Sequence, residues 1–242
     1  MKYPMLRISS LLVILFFHPV FTFCQPTPDD FVLLNIEMLS RAEVGKKLQE
    51  VNKAKPKLVA LNVQYGSDRG ASDDPLEQAF KEIETDVLGY NLKDKRLGSH
   101  AKFMQHAADS GMTRLVADVR LWPLYFIPYQ KKFGQVQDHL SMTVASYLVN
   151  ELPDYAVDGI KAIEYFPKLN YTVINLSEFD LKKHGDLIRD NVVFVGFLGP
   201  GDEDKQYTPL REEKGVPEGV KDTYGLEILV YMVRTILNDS SK

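Results

Sequence analysis

Three short runs of almost purely apolar residues decide what this chain can fold into: Phe31-Val32-Leu33-Leu34-Asn35-Ile36, Leu58-Val59-Ala60-Leu61-Asn62-Val63 and Val192-Val193-Phe194-Val195-Gly196-Phe197-Leu198. A strand with one face in water alternates apolar and polar residues, whereas a run that is apolar at every position is buried on both faces. Such strands belong to parallel sheets, whose neighbours need a crossover of about a dozen residues or more. A crossover of this kind separates the first two runs. Ser40-Arg41-Ala42-Glu43 has the form of a capping box, in which the serine oxygen accepts a free N–H of the first turn and Glu43 reaches back. Val44, Leu48 and Val51 then recur on one helical face. The pattern predicts strand, helix and strand, joined by a right-handed crossover.

The rest of the chain extends this plan. Pro75 stands where a helix starts, with Leu76, Ala79, Phe80 and Ile83 on one face, and a third strand is expected over residues 86–92. A helix over 101–108 and a strand over 113–117 follow Gly98 and Gly111 respectively. Residues 119–129 are rich in Trp, Tyr, Phe and Ile but contain Pro123 and Pro128, which confines their strands to a sheet edge. Leu140, Val144 and Leu148 align on a helix, a shorter helical piece is expected over 154–160, and residues 164–166 and 171–174 read as an antiparallel pair. Ser177 stands as the cap of a short helix, and Leu226, Leu229, Val230, Val233, Ile236 and Leu237 mark the closing one. The expected fold is one α/β domain, a mainly parallel sheet flanked by helices on both faces, with an aromatic antiparallel insertion.

The N-terminus reads as a targeting segment. Lys2 and Arg7 precede an apolar stretch over 8–23 that Pro19 interrupts, and Thr22 and Cys24 put small residues where a leader peptidase needs them. Residues 1–24 are expected to be a cleaved signal peptide, leaving 25–242 on the far side of the membrane, periplasmic or otherwise extracytoplasmic. The alternative is an N-terminal membrane anchor, for which a run of about 16 residues is short. Bulky Phe23 before Cys24 argues against lipid attachment. Cys24 is the sole cysteine, so a mature chain beginning at Gln25 has no disulfide, zinc-thiolate site or cysteine nucleophile. No second span is expected, because the apolar run 228–233 is short and bounded by Glu227 and Arg234.

Composition narrows the function. A net charge of -4, with no Lys/Arg run longer than two residues, argues against nucleic acid as a partner. His100, His106, His139 and His184 are scattered without paired spacing and read as surface residues, and no GxSxG elbow is present. The carboxylates of Gly199-Pro200-Gly201-Asp202-Glu203-Asp204 do not follow a calcium-loop template, and no Gly-Lys-Ser/Thr makes it a phosphate loop. Asp73 and Asp74 are adjacent and point apart. No catalytic residue, metal site or cofactor is expected, and the chain does not read as an enzyme. In open α/β sheets, however, ligands sit beyond the carboxyl ends of the strands. A small-molecule site is therefore expected between loops 66–74 and 199–204, with Asn62, Asp73, Asp202, Asp204 and Thr208 as binding residues. Its acidic residues favour a neutral or cationic ligand.

The three apolar runs, together with the glycine-rich acidic loop, Thr208-Pro209-Leu210 and Tyr224-Gly225-Leu226-Glu227-Ile228, resemble the CHASE2 domains over most of residues 31–239. That family comprises extracytoplasmic sensory domains of bacterial receptors. The resemblance implies a stand-alone, non-catalytic sensory or ligand-binding module for envelope signal perception, with an envelope or inner-membrane signalling protein as partner. The competing expectation is a periplasmic structural or adaptor protein that binds a membrane partner without a small ligand. CHASE2 domains commonly carry an aspartate near the end of the second strand, where this chain has Asn62. Trp122, Tyr125, Phe126 and Tyr129 have two readings, an edge packed onto the core or an exposed surface for a partner.

Overall fold

A computed structural model describes residues 31–92, 96–116, 123–166, 169–199, 201, 204–218 and 220–242. The leader, Trp122 and Asp202 therefore lie outside the described residues. The chain opens with β1 (Phe31–Asn35), α1 (Arg41–Asn52), β2 (Leu58–Leu61), α2 (Asp74–Glu82) and β3 (Asp86–Leu92). The capping box at Ser40 is formed: Glu43 accepts from the Ser40 N–H at 2.8 Å, and the Glu43 N–H donates to Ser40 Oγ at 3.3 Å. After β3 come the short antiparallel β4 (Arg96–Leu97), one helical turn α3 (Ala101–Met104) and β5 (Asp109–Met112).

The middle of the chain carries small antiparallel sheets. β6 (Leu115–Val116) and β7 (Tyr125–Phe126) pair with each other, β8 (Tyr129–Lys132) and β9 (Gln135–Asp138) form a hairpin, and α4 (Leu140–Ser146) returns to the main sheet. Then follow β10 (Lys161–Ala162), β11 (Thr172–Asn175), α5 (Leu181–Ile188), β12 (Val192–Gly196), the short pair β13 (Lys205–Gln206) and β14 (Thr223–Tyr224), and finally α6 (Gly225–Ser240).

Six parallel strands run in the order β11-β1-β12-β2-β3-β5, and β4 pairs antiparallel with the end of β3. The three apolar runs lie side by side in its centre, because β12 inserts between β1 and β2 with Phe194 opposite both Leu33 and Ala60. Alternate residues then serve opposite cores. Val32, Leu34, Val59, Leu61, Val193 and Val195 pack under α1, α2 and α5. Phe31, Leu33, Leu58, Ala60, Val192 and Phe194 pack under α4 and α6. Both faces are covered, as continuous apolarity demands.

Local elements depart from the sequence reading in five places. The strand that joins the main sheet near Gly111 is Asp109–Met112; of the strand expected over 113–117, Leu115–Val116 forms the short antiparallel β6, and residue 117 lies outside the described residues. Gly111 is not a breaker there but the point where α4 crosses, since a Cβ on it would meet Leu140 Cα at 2.5 Å. Residues 154–160 form no helix; Asp158 has φ 57°, and the Gly159 N–H closes a turn onto the Ala156 carbonyl. Residues 171–174 do not pair with 164–166. Thr172–Asn175 instead joins the main sheet parallel to β1, while β10 pairs with β7. The helix expected over 101–108 is a single turn. Ser177 lies inside a 3-10 turn, and α5 is capped by Asp180, whose carboxylate accepts the N–H groups of Lys182 and Lys183.

Candidate functional site

Strand exits at the carboxyl edge diverge. β1 and β2 lead to α1 and α2 on one face of the sheet, whereas β12, lying between them, leads to α6 on the other. Adjacent strands whose connections part to opposite faces leave a crevice between them. It holds a cavity of about 380 Å³, within the size range of small-molecule sites. Its wall combines Ile36 after β1, Asn62, Val63 and Gln64 after β2, Thr113 and Leu115 after β5, and Phe197 after β12. His139 at the start of α4, Asp204, and Gly225, Leu229 and Met232 of α6 complete it.

Asn35 fixes how these exits part. Its Oδ1 accepts the N–H groups of Leu198 at 2.8 Å and Glu37 at 3.1 Å, and its Nδ2 donates to Asn175 Oδ1 at 3.2 Å. One buried amide thus ties the ends of β11, β1 and β12 together. The ladder continues briefly beyond the strands, with the Asn62 N–H on the Val195 carbonyl at 2.9 Å. Asp204 lies against the N-terminus of α6: its carbonyl accepts the Gly225 N–H at 3.1 Å, and its carboxylate would stand 3.1 Å from a Cβ on Gly225. Burial raises the Asp204 pKa, while the Gly225 backbone and Lys221 pull the other way. The Tyr224 hydroxyl donates to the Gly199 carbonyl, holding the glycine-rich loop down on the same helix start.

Of the residues expected to bind ligand, Asn62 and Asp204 line the cavity. Thr208 and Asp73 are fully buried in its supports and are not part of that wall. The Thr208 N–H and hydroxyl donate to the two oxygens of Asp222 at 2.7 and 2.6 Å, which closes the excursion between β13 and β14. Asp73 accepts the Arg69 N–H at 2.7 Å and pairs with Arg41 at 3.2 Å; Arg41 also donates to the Ser67 carbonyl and lies over the Tyr65 ring. That set pins loop 66–74 onto α1.

Sequence reasoning missed His139, Gln64, Thr113 and the apolar lining from α6. His139 and His184 are not surface residues: their relative exposures are 0% and 8%. His184 accepts the Asp180 N–H through Nδ1 at 3.1 Å. His139 caps α4, with Nδ1 accepting the Ser141 N–H at 3.2 Å, and its ring meets Phe126 edge to face. Burial drives its pKa down to about 4, with only the Arg114 main chain acting in the opposite sense. Its only sequence signal was an N-cap position filled by an unusual residue. In the insertion, Phe126 is core, Tyr129 packs against the core and Tyr125 is partly exposed.

The architecture is a doubly covered parallel sheet with a polar-and-apolar crevice at its switch point. The chain belongs to the CHASE2 domain family, whose model matches residues 30–242. CHASE2 domains are extracytoplasmic sensory domains. Comparison with curated proteins and with solved structures returned no match. Among the described residues, no helix is long and apolar enough to cross a membrane.

Proposed function

We propose that this chain is a non-catalytic sensory module of the bacterial envelope that binds a small neutral or cationic molecule in the carboxyl-edge crevice. The observation that carries this reading is the cavity itself, where exits from four parallel strands converge on the N-terminus of α6. Asn62 and Asp204 supply its polar contacts from the expected set, Asp202 belongs to the same loop, and Thr208 and Asp73 position the walls. A thermal-shift screen of envelope metabolites and ions against the full chain tests it, because a ligand bound only to the folded state raises Tm. The expected result is a hit whose shift is lost in Asp204→Ala and Asn62→Ala. A hit unaffected by both substitutions would place the site elsewhere.

The adaptor reading has one observation in its favour. Phe133, at the tip of the β8–β9 hairpin, is 58% exposed and adopts φ 53°, a conformation that costs a bulky residue roughly 1–2 kcal/mol. An exposed aromatic kept at that cost suits contact with another envelope or inner-membrane protein. If Phe133→Asn abolished capture of such a partner while no compound shifted Tm, the adaptor reading would replace the sensory one. Export with cleavage before Gln25 belongs to the same proposal, and N-terminal sequencing of the exported chain decides it. An intact Met1 in the membrane fraction means an anchor.

A further inference from the structure

We infer that the tip of the β8–β9 hairpin is a membrane-contact site, where Phe133 enters the headgroup layer of an anionic phospholipid surface and Lys131 and Lys132 meet its phosphates. This goes beyond the reading of the crevice and does not depend on it. Lys132 and Gln135 are the last paired residues of the hairpin, so Phe133 and Gly134 make up the whole loop. Both have positive φ, 53° and 78°, as a type I′ turn requires. Asn, Asp or Gly is favoured at the first of these positions, and a bulky aromatic there is an outlier. The ring is nevertheless 58% exposed, so packing within the domain does not account for its place. A strained residue surrounded by solvent points to a contact made outside the domain.

The residues behind the ring indicate which contact. Successive strand residues face opposite sides, so Lys131 and Lys132 place one cation on each face of the hairpin just behind its apex. Lys131 is exposed and stands opposite Val136, itself 49% exposed. The Lys132 ammonium lies 5.6 Å from the Phe133 ring centroid and donates to the Leu92 carbonyl at 3.4 Å. That bond sets the hairpin against the carboxyl end of β3, where the Tyr90 hydroxyl also donates to Gln137 at 2.8 Å. Asp138 and Asp158 flank the base, the first opposite Tyr129 and the second accepting the Lys131 N–H at 2.9 Å. An aromatic apex with a cation on each side suits a bilayer interface, where the ring sits below the headgroups and lysine stems reach up to the phosphates. A protein partner fits less well, because a stable interface takes about 800 Å² from each side and a two-residue apex is small and convex. One aromatic and two lysines bind a bilayer weakly, so the tip orients the domain at the surface rather than anchoring it.

Hydrogen exchange of the full chain is compared on vesicles of phosphatidylglycerol with phosphatidylcholine and on vesicles of phosphatidylcholine alone. Exchange over 131–136 should slow severalfold on the anionic vesicles and less on the neutral ones, while 62–64 in the crevice stays unchanged. Phe133→Asn should lose this protection, although asparagine suits the left-handed turn better. Lys131→Gln combined with Lys132→Gln should lower it to the level seen on neutral vesicles. Depth is read separately: Phe133→Trp should be quenched by brominated acyl chains beyond the level that Trp122 shows in the wild type. Unchanged exchange at the tip, protection that survives either set of substitutions, or no quenching beyond the Trp122 level overturns the inference. If the tip stays unprotected on both kinds of vesicle while Phe133→Asn abolishes capture of an envelope protein, the contact is with protein and the lipid assignment fails. None of these outcomes bears on the crevice, which the ligand screen tests by itself.

Discussion

The two faces of the sheet are built in different ways. On the α1/α2 face each helix joins strands through a short crossover, and the packing is tight enough that α1 and α2 meet at a glycine. A Cβ on Gly45 would lie 2.3 Å from the Leu76 backbone nitrogen. On the α4/α6 face the helices return after long excursions, through β6 to β9 before α4 and through β13 and β14 before α6. The cavity opens on that second side, against His139 and α6. The regular face contributes Ile36, Asn62, Val63 and Gln64 at its strand exits, and the irregular one contributes His139, Asp204 and the wall from α6.

Glycine substitutions put the greatest strain on this contrast. Gly45→Ala pushes a methyl group into backbone that cannot move aside, and unfolding in urea should show a loss of about 3 kcal/mol. Its effect should stop there, with ligand affinity unchanged. Gly111→Ala meets the Leu140 backbone in the same manner on the other face. It should cost about as much stability, and because it displaces the start of α4 beside His139 it should also weaken any crevice ligand. Equal effects of the two substitutions on binding would erase the distinction between the faces.

Titration separates the edges of the sheet as well. Asp86 begins β3 at the amino edge, fully buried, with Oδ1 accepting the Ala108 N–H at 3.0 Å and Oδ2 unpartnered. Burial raises its pKa from 3.8 to about 6. A carboxyl whose folded pKa lies above its unfolded value stabilises the fold in its protonated form. That contribution is whole below pH 3.8 and is lost as pH rises through about 6. His139 at the carboxyl edge runs the opposite way: its contribution is whole above pH 6.5 and is lost as pH falls through about 4. Between these limits, Asp86→Asn should remove a decline on the order of 2–3 kcal/mol, seen by comparing denaturation curves with the wild type at pH 4 and pH 7. His139→Asn should remove the countervailing rise.

Smaller effects are expected at two turns. Asn35→Ala strands the Leu198 N–H and frees the exits of β11 and β12, at a cost of about 2 kcal/mol in stability. Phe133→Asn relieves a left-handed aromatic and should gain about 1 kcal/mol, measurable as a raised midpoint in urea. A loss instead would mean that the exposed ring packs usefully in the isolated chain.

How much was legible in the sequence follows the same division. The apolar runs announced β1, β2 and β12, and Ser40 with Glu43 announced the start of α1, because both signals are local. The strand order was not written locally. Nothing in residues 192–198 says that β12 enters between β1 and β2, and nothing near Thr172 says that it lines up beside β1. A cavity at the carboxyl edge was foreseeable from the rule for open sheets, and Asn62 and Asp204 are among the residues that line it. Thr208 and Asp73 shared their loops' acidity and polarity but are consumed by Asp222 and Arg41, partners that are distant in sequence or invisible without the fold. His139 was missed because burial of a lone histidine is decided by the elements around it, here Phe126 and the turn of α4.

The central claim is that ligand binding belongs to the irregular face at the carboxyl edge. Hydrogen exchange of the full chain with and without the strongest hit of the thermal screen tests it most directly. Bound ligand should slow exchange at residues 62–64, 113–115 and 225–232, and leave 52–56 and 82–85 at the amino edge unchanged. Protection confined to α1 and α2, or to the β8–β9 hairpin, would contradict it.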